Sequence, residues 1–180
     1  MGNRLSKIVT RTGDAGSTGL ASGERVAKTH ARVRCMGELD ELNSQIGVLI
    51  AQALPARFAE ALGVIQHRLF DIGGELALPG HIAIGDTHVA QLEAWVEDFN
   101  ADLPPLKEFV LPGGNLPAAQ AHLARAVARR GERALWTVHE ETPLNPAALR
   151  YLNRLSDLLF IIARHLARAD GGKEVTWRHA

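Results

Sequence analysis

The chain contains one segment that decides its architecture: residues 118–133 read AAQAHLARAVARRGER. At helical periodicity, four basic side chains of this segment form one stripe: His122, Arg125, Arg129 and Arg133. Like charges one turn apart repel each other, so this arginine stripe is typical of a helix that faces a polyanion or acidic side chains. Because a planar guanidinium matches phosphate and carboxylate oxygens, the stripe suits either partner, although an ordinary solvated helix face would carry it too.

Four further helices are predicted around this one. Apolar residues recur at three- and four-residue spacing over residues 30–53, 55–78, 86–102 and 146–169. The arginine helix begins at Pro117, and Asn145-Pro146 reads as the N-cap and first residue of the last helix. The sequence therefore predicts an all-α fold: a five-helix up-and-down bundle that forms one domain. Its parts are an arm (residues 1–29), the bundle (30–170) and a short tail (171–180), which is expected to add an extended segment.

Two segments outside the helices carry candidate ligand contacts. Prolines and a glycine pair exclude a helix over residues 103–117, where Phe109-Val110-Leu111 forms either a plug on the bundle or an apolar wall beside a ligand. The arm is glycine-rich, so its N–H groups could converge on an anion with help from Lys28, although a plain surface arm is the alternative. It is not a P-loop, because no Gly-Lys-Ser/Thr follows the glycines.

Composition restricts the classes of function. The chain has 180 residues, and its 20 Lys and Arg balance 20 Asp and Glu, which argues against a nucleic-acid binder driven by bulk charge. The single cysteine, Cys35, excludes an intrachain disulfide and reads as a packing residue rather than a nucleophile. No signal peptide or membrane-spanning apolar run is visible, so we expect no membrane partner and a cytoplasmic location. No cluster of ligating residues predicts an intrinsic metal site.

After these exclusions, the class of function that remains is phosphate chemistry in which the protein supplies no covalent nucleophile. The arm and the arginine stripe would have to meet either within one subunit or across a subunit interface. Asp40 and Asn43 lie beside the apolar stripe of the first helix, where they either join two helices by hydrogen bonds or brace one of the arginines.

Several blocks of the chain together resemble one family. They read TRTGDAGSTGL (residues 10–20), GERVAK (23–28), GELDELNSQIG (37–47), FVLPGGNLPAAQAHLARAVARRGER (109–133) and YLNRLSDLLFIIAR (151–164). In order and spacing, they are similar to the ATP:cob(I)alamin adenosyltransferases of the PduO type, over nearly the whole chain. Each block is only moderately specific, whereas the series is highly specific.

The resemblance implies a homotrimer of five-helix bundles, with ATP held between the arm of one subunit and the arginine helix of another. The implied reaction transfers the 5′-deoxyadenosyl group of ATP to the cobalt of cob(I)alamin, with magnesium bound alongside ATP. Tripolyphosphate leaves and adenosylcobalamin is the product. A cobalamin-dependent enzyme or a reductase is a possible further partner. A non-catalytic sensor or carrier of ATP or corrinoid is the main alternative, and a purely structural trimer is another.

The resemblance also implies roles for individual residues. The expected nucleotide contacts, here called the nucleotide set, are Thr10, Arg11, Thr12, Gly13, Thr18, Gly19, Lys28, Arg129, Arg130, Gly131, Glu132, Arg133 and Asn153. Asp40 and Arg125 match a salt bridge across the subunit interface, and Phe109 matches an aromatic residue that closes the lower face of the corrin. Arg129, Phe109, Asp40 and Arg125 form the expected catalytic group.

The chain departs from the family pattern at Ala15, Gly131 and Ala167, where an acidic residue, alanine and asparagine are common. None of these changes removes a phosphate-contacting side chain. They bear on affinity and local rigidity rather than on the type of reaction.

Overall fold

A computed structural model describes residues 8–178 and confirms the five predicted helices. They are α1 (Ala31–Ile50), α2 (Ala56–Ala77), α3 (Asp86–Ala101), α4 (Leu116–Glu141) and α5 (Pro146–Arg168), followed by a 3₁₀ turn at Ala169–Gly171. Residues 1–7 of the arm and 179–180 of the tail lie outside the described part. The helix α1 ends before the predicted Ala53 because that residue adopts a left-handed backbone, with φ of 56°.

The helices pack in a fixed order around one core. Helix α1 packs against α2 and α4, and α5 packs against α4 and α3. The predicted apolar seam of α2 is fully buried: Phe58, Leu62, Ile65, Leu69, Ile72 and Leu76. So is the predicted seam of α5: Leu149, Leu152, Leu155, Leu159, Ile162 and Leu166. Cys35 is buried in the same core, and burial raises the pKa of its thiol to about 12, as expected for a packing residue.

Helix α4 approaches its neighbours closely because its buried face is built mainly of small residues: Ala118, Ala121, Ala124, Ala128 and Gly131. Its start is fixed by Asn115, whose side chain accepts from the Ala118 N–H at 3.0 Å and donates to the Leu166 carbonyl of α5 at 2.7 Å. Helix α5 starts in the same way, with the Asn145 side chain accepting from the Ala147 N–H at 3.0 Å. These caps fix where α4 and α5 begin.

The arm contains a short antiparallel hairpin, β1 (Ser17–Gly19) and β2 (Arg25–Ala27), within a segment predicted to be irregular. Three-residue strands are too short for an alternating pattern to reveal them, and only Val26 is buried within the pair. The Ala21 N–H donates to the Ala77 carbonyl at 3.0 Å, which attaches the arm to the C-terminal end of α2.

The tail, residues 173–178 of the described chain, runs beside the Phe109 loop, residues 102–115. The Leu111 N–H donates to the Val175 carbonyl and the Trp177 N–H to the Phe109 carbonyl, both at 2.8 Å. The predicted extended segment of the tail is therefore confirmed at a single antiparallel bridge, Val110 to Thr176. Over residues 8–178, no helix is long and apolar enough to cross a bilayer.

Candidate active site

A cleft of about 680 Å³ lies between α4, α5 and the Phe109 loop, and is here called the α4–α5 cleft. Its apolar wall consists of Leu106, Phe109, Val110, Pro112 and Phe160. Its polar wall consists of Lys107, Glu108, Arg125, Arg129, Ser156 and Asp157. A ligand that combines an extended apolar face with anionic groups matches both walls.

Phe109 is the most exposed part of the apolar wall, with 77% of its surface accessible. Its loop is held by the two backbone hydrogen bonds to the tail, and its ring centroid lies 6.4 Å from that of Trp177. The side chain is thus exposed, while its backbone is held by hydrogen bonds. Such an aromatic ring can cover a flat apolar ligand with little loss of conformational entropy on binding.

Arg125 and Arg129 bring two guanidinium groups to the polar wall. Burial, together with repulsion from Arg129, lowers the pKa of the Arg125 guanidinium, and its buried Nε has no hydrogen-bond partner among residues 8–178. Arg129 is exposed and forms no ion pair within the described chain. Neither guanidinium forms an ion pair over residues 8–178, although Glu108 and Asp157 lie on the same wall, so both remain able to bind an anion.

The arginine stripe is not uniform along its length. His122 is buried rather than facing the cleft, with its ring 6.0 Å from that of Phe160. Burial and the nearby Arg125 lower the pKa of its imidazole, although Glu174 of the tail acts in the opposite direction. This end of the predicted stripe is therefore enclosed: Phe160 of α5 lies beside the imidazole, and Glu174 of the tail is close enough to act on it.

Two members of the nucleotide set meet beside the cleft. The Asn153 side-chain amide on α5 donates to Glu132 Oε1 on α4 at 2.9 Å. Gly131, which precedes Glu132, is buried, and a β-carbon added there would lie 3.6 Å from Leu39 Cδ2. Two family blocks that are separate in the sequence, residues 109–133 and 151–164, are therefore in direct contact through α4 and α5.

Three cleft residues of α5 were absent from the predicted site: Ser156, Asp157 and Phe160. They follow Asn153 at three, four and seven residues, so they share its helix face, and this periodicity was the signal that could have identified them. Burial raises the pKa of the Asp157 carboxyl; Arg154 and Arg129 oppose that effect, whereas Glu132 reinforces it. Asp157 therefore belongs electrostatically to the cluster that contains Arg129 and Glu132.

The arm holds its members of the nucleotide set in a separate cluster. The Lys28 N–H donates to the Gly16 carbonyl at 2.9 Å, and a β-carbon at Gly13 would lie 3.2 Å from Lys28 Nζ, so Gly13 permits the lysine's approach. Arg25, which the sequence did not single out, fastens this loop by donating to the Thr12 carbonyl and to Ser17 Oγ, both at 2.7 Å. No described arm residue lines the α4–α5 cleft.

The remaining members of the nucleotide set in the described arm stand on this same loop. The hydroxyls of Thr10 and Thr12 lie 3.0 Å apart, Arg11 adopts a left-handed backbone with φ of 60°, and Thr18 and Gly19 lie in β1. A non-glycine residue with positive φ is uncommon, and it marks the Arg11 turn as a constrained part of the loop.

Asp40 lines a second groove, of about 540 Å³, between α1 and α2, where Phe70 is 73% exposed. Within one chain, Asp40 and Arg125 therefore line different surfaces and do not form an ion pair. Arg130 also faces away from the cleft and pairs with Glu38 and Glu41 of α1.

Comparisons with known proteins agree with this geometry. The family model described as cobalamin adenosyltransferase matches residues 8–166. A cobalamin adenosyltransferase of Cupriavidus metallidurans is 56% identical over 179 residues, which cover 99% of this chain and 97% of that protein. A corrinoid adenosyltransferase of Mycobacterium tuberculosis is 43% identical over 188 residues, with 99% and 96% covered.

Among solved structures, a variant PduO-type ATP:corrinoid adenosyltransferase from Lactobacillus reuteri, complexed with cobalamin and ATP, superposes with a TM-score of 0.89. It is 31% identical, and the match covers 96% of this chain and 97% of that one. The chain therefore belongs to the cobalamin adenosyltransferase family, and its similarity to PduO-type proteins in sequence and in fold confirms the resemblance seen in the sequence blocks.

Proposed function

We propose that this protein transfers the 5′-deoxyadenosyl group of ATP to the cobalt of cob(I)alamin. The observation that carries the proposal is the α4–α5 cleft, which sets an apolar wall opposite two guanidinium groups that have no acid partner in the described chain. It is supported by the similar Lactobacillus reuteri protein, whose structure holds cobalamin and ATP together.

The proposed reaction needs no nucleophile from the protein. The cobalt of cob(I)alamin supplies the electron pair for the new cobalt–carbon bond, and the C5′–oxygen bond of ATP breaks with its electrons leaving on tripolyphosphate. The protein must align C5′ with cobalt and stabilise the charge that grows on the leaving group. Arg129, Arg133 and Lys28 are the cations that we assign to this second task, and magnesium bound with ATP would add to it.

We further propose that the working site is completed by a neighbouring subunit in a homotrimer. No described residue of the arm lines the α4–α5 cleft of its own chain. The buried Nε of Arg125 has no hydrogen-bond partner over residues 8–178, while Asp40 lies exposed in the second groove. An Asp40 carboxylate from a second copy would satisfy Arg125, and the exposed Phe70 beside Asp40 would be covered by the same contact. Sedimentation of the wild type and of Asp40→Ala tests this assembly.

Phe109 is proposed to cover the lower face of the corrin and to displace its lower ligand, which makes reduction of cob(II)alamin easier. Phe109→Ala should therefore lose most activity when the assay starts from cob(II)alamin and a reductant. It should retain much more when chemically reduced cob(I)alamin is supplied. Full activity of this variant in the first assay would contradict the assignment.

The activity is tested anaerobically. Purified protein is mixed with ATP, magnesium and chemically reduced cobalamin, and both adenosylcobalamin and tripolyphosphate are measured. Equal amounts of the two products support the proposed reaction. Binding of ATP or cobalamin without either product would favour the sensor or carrier alternative, and would direct attention to Ala15, Gly131 and Ala167.

A further inference from the structure

We propose that Arg154 and Glu93 are positioning residues that orient the Asn153 amide toward Glu132, and that the pair thereby controls how tightly the site holds ATP. The inference rests on the proposed function. It concerns two side chains that neither the sequence blocks nor the α4–α5 cleft assigned to the site.

A continuous chain of polar contacts carries the inference across three helices. Glu93 on α3 accepts from Arg154 Nε on α5 at 3.0 Å. Arg154 Nη1 donates to Asn153 Oδ1, and Asn153 Nδ2 donates to Glu132 Oε1 on α4 at 2.9 Å. The chain therefore ends on two members of the nucleotide set.

The chemistry of these groups permits only one amide orientation. A guanidinium has donors and no acceptor, whereas a carboxylate has acceptors and no donor. With Arg154 on one side and Glu132 on the other, the amide oxygen must face Arg154 and the NH₂ group must face Glu132. Without Arg154, Glu132 alone would hold the NH₂ group, and the broad terminal torsion of asparagine would let the amide swing over a wider range of angles.

Arg154 also acts on the cleft electrostatically, through its effect on the carboxyl of Asp157. It favours the ionised form of Asp157, which lines the cleft one turn after Asn153, and it thereby opposes the burial that raises the pKa of that carboxyl. Glu93 in turn holds the guanidinium from α3, a helix that contributes no residue to the cleft.

The exposure of the pair separates a positioning role from a structural one. The Arg154 and Glu93 side chains are 39% and 47% exposed, so their ion pair adds little to global stability. The chain supplies a matched control: Arg150, one turn earlier on α5, pairs with Asp86 of α3 at 2.6 Å and forms no hydrogen bond with Asn153. Both pairs join the same two helices, but only one leads to the nucleotide set.

The test measures ATP affinity by calorimetry, together with KM and kcat for both substrates. Arg154→Met should raise the Kd and KM for ATP roughly tenfold while leaving the KM for cobalamin unchanged, and Arg150→Met should change neither. Glu93→Ala should raise the ATP values by about threefold, because the guanidinium stays but loses its orienting partner. In an Asn153→Ala background, Arg154→Met should have a much smaller effect than in the wild type, because only its charge near Asp157 is then left to be lost.

Two results would overturn the inference while the wild type remains active: equal effects of Arg154→Met and Arg150→Met, or a full additional loss in the Asn153→Ala background. A failure of the proposed function looks different, because the wild type itself would then form no adenosylcobalamin. If the inactive wild type still binds ATP, the calorimetric comparison of the variants decides the inference alone. If it binds no ATP, both proposals fall together.

Discussion

Two kinds of arginine stand on the last two long helices. Arg130 and Arg164 are each matched with carboxylates: Arg130 with Glu38 and Glu41, and Arg164 with Glu174, whose Oε1 lies 2.5 Å from its Nε. Arg125 and Arg129 have no such partner over residues 8–178 and face the α4–α5 cleft instead. Arg129 and Arg130 are adjacent in sequence. Consecutive residues of a helix point in different directions, so one of them faces the cleft and the other faces α1.

The difference shows where this fold keeps charge available. Hydrogen bonds and ion pairs with Glu38 and Glu41 raise the pKa of the Arg130 guanidinium, whereas burial and repulsion from Arg129 lower that of Arg125. The matched arginines join elements of one chain and are neutralised there. The cleft arginines form no ion pair over residues 8–178, so their donors remain available to an incoming triphosphate or to a carboxylate of a second subunit.

The largest effect that this comparison predicts is on catalysis. Arg129→Ala should lower kcat by on the order of 10²–10³, because it removes a preorganised cation from the side where charge develops on the leaving group. Its unfolding in urea should be unchanged, because Arg129 is exposed and forms no ion pair in the described chain. Adenosylcobalamin formation at saturating substrates measures the loss, and a variant that keeps most of its kcat would remove Arg129 from the catalytic group.

The second prediction concerns the most buried matched arginine. Arg164→Met should lower the free energy of unfolding by about 3 kcal/mol, because it leaves Glu174 charged in a site where only 7% of that side chain is exposed. The Pro104 carbonyl, which accepts from Arg164 at 2.8 Å, would lose its donor as well. Arg168→Met is the control, since Arg168 is 44% exposed and its ion pair with the same carboxylate should contribute less than about 1 kcal/mol.

The pH dependence of that difference follows from Glu174. Burial alone would raise the pKa of its carboxyl, but hydrogen bonds and ion pairs with Arg164 and Arg168 bring it below the usual value of 4.5. A carboxyl with a depressed folded pKa stabilises the protein fully above its unfolded pKa, and this stabilisation is lost as the pH falls through the folded value. The gap between the wild type and Arg164→Met should therefore be full at neutral pH and shrink below about pH 4.5. A gap of constant size would show that packing, not the ion pair, sets the cost.

The third prediction tests whether Arg130 belongs with the matched arginines. Arg130→Ala should lower the free energy of unfolding by about 1 kcal/mol, because two partly exposed ion pairs to α1 contribute a few tenths to 1 kcal/mol each. The KM for ATP should change by less than about threefold. A tenfold rise in KM with unchanged stability would instead support Arg130 as a nucleotide contact, as the family resemblance implies.

Helical periodicity and capping residues predicted the part of the fold that depends on local sequence. The buried seams of α2 and α5 follow from the spacing of apolar residues within each helix. Asn145 predicts the start of α5 because it is an N-cap residue. The cleft was predicted in part, because Phe109, Arg125 and Arg129 lie in blocks that the family shares. The same blocks contain Asn153 and Glu132. The hydrogen bond between the two side chains could not be predicted from them, because it depends on how α4 and α5 pack.

The rest depends on contacts between distant segments, which no local pattern encodes. The pairing of Arg164 with Glu174 needs the tail to turn back along the Phe109 loop, and the pairing of Arg130 with Glu38 needs the rotation of α4 against α1. Adjacent arginines look alike in a sequence because their roles differ only by the direction in which each one points. The burial of His122 has the same origin, since Phe160, whose ring lies 6.0 Å from the imidazole, belongs to a different helix.

The smallest predicted effect is a gain in stability at Gly131, which directly follows Arg130 in α4. Gly131→Ala should raise the free energy of unfolding by about 0.8–1 kcal/mol, because alanine is the better helix former. Its β-carbon would meet Leu39 Cδ2 at 3.6 Å and Leu152 Cδ1 at 3.9 Å, which are ordinary packing distances.

Gly114→Ala is the matched control of opposite sign. Gly114 has a φ of 104°, and its added β-carbon would lie 3.3 Å from both Ala118 Cβ and Ala167 Cβ, so this variant should be destabilised. Urea unfolding measures both changes. If Gly131→Ala is more stable but loses activity, then the reaction needs the backbone freedom or the open space that glycine provides between Arg130 and Glu132, and the stability of α4 at this position is limited by function.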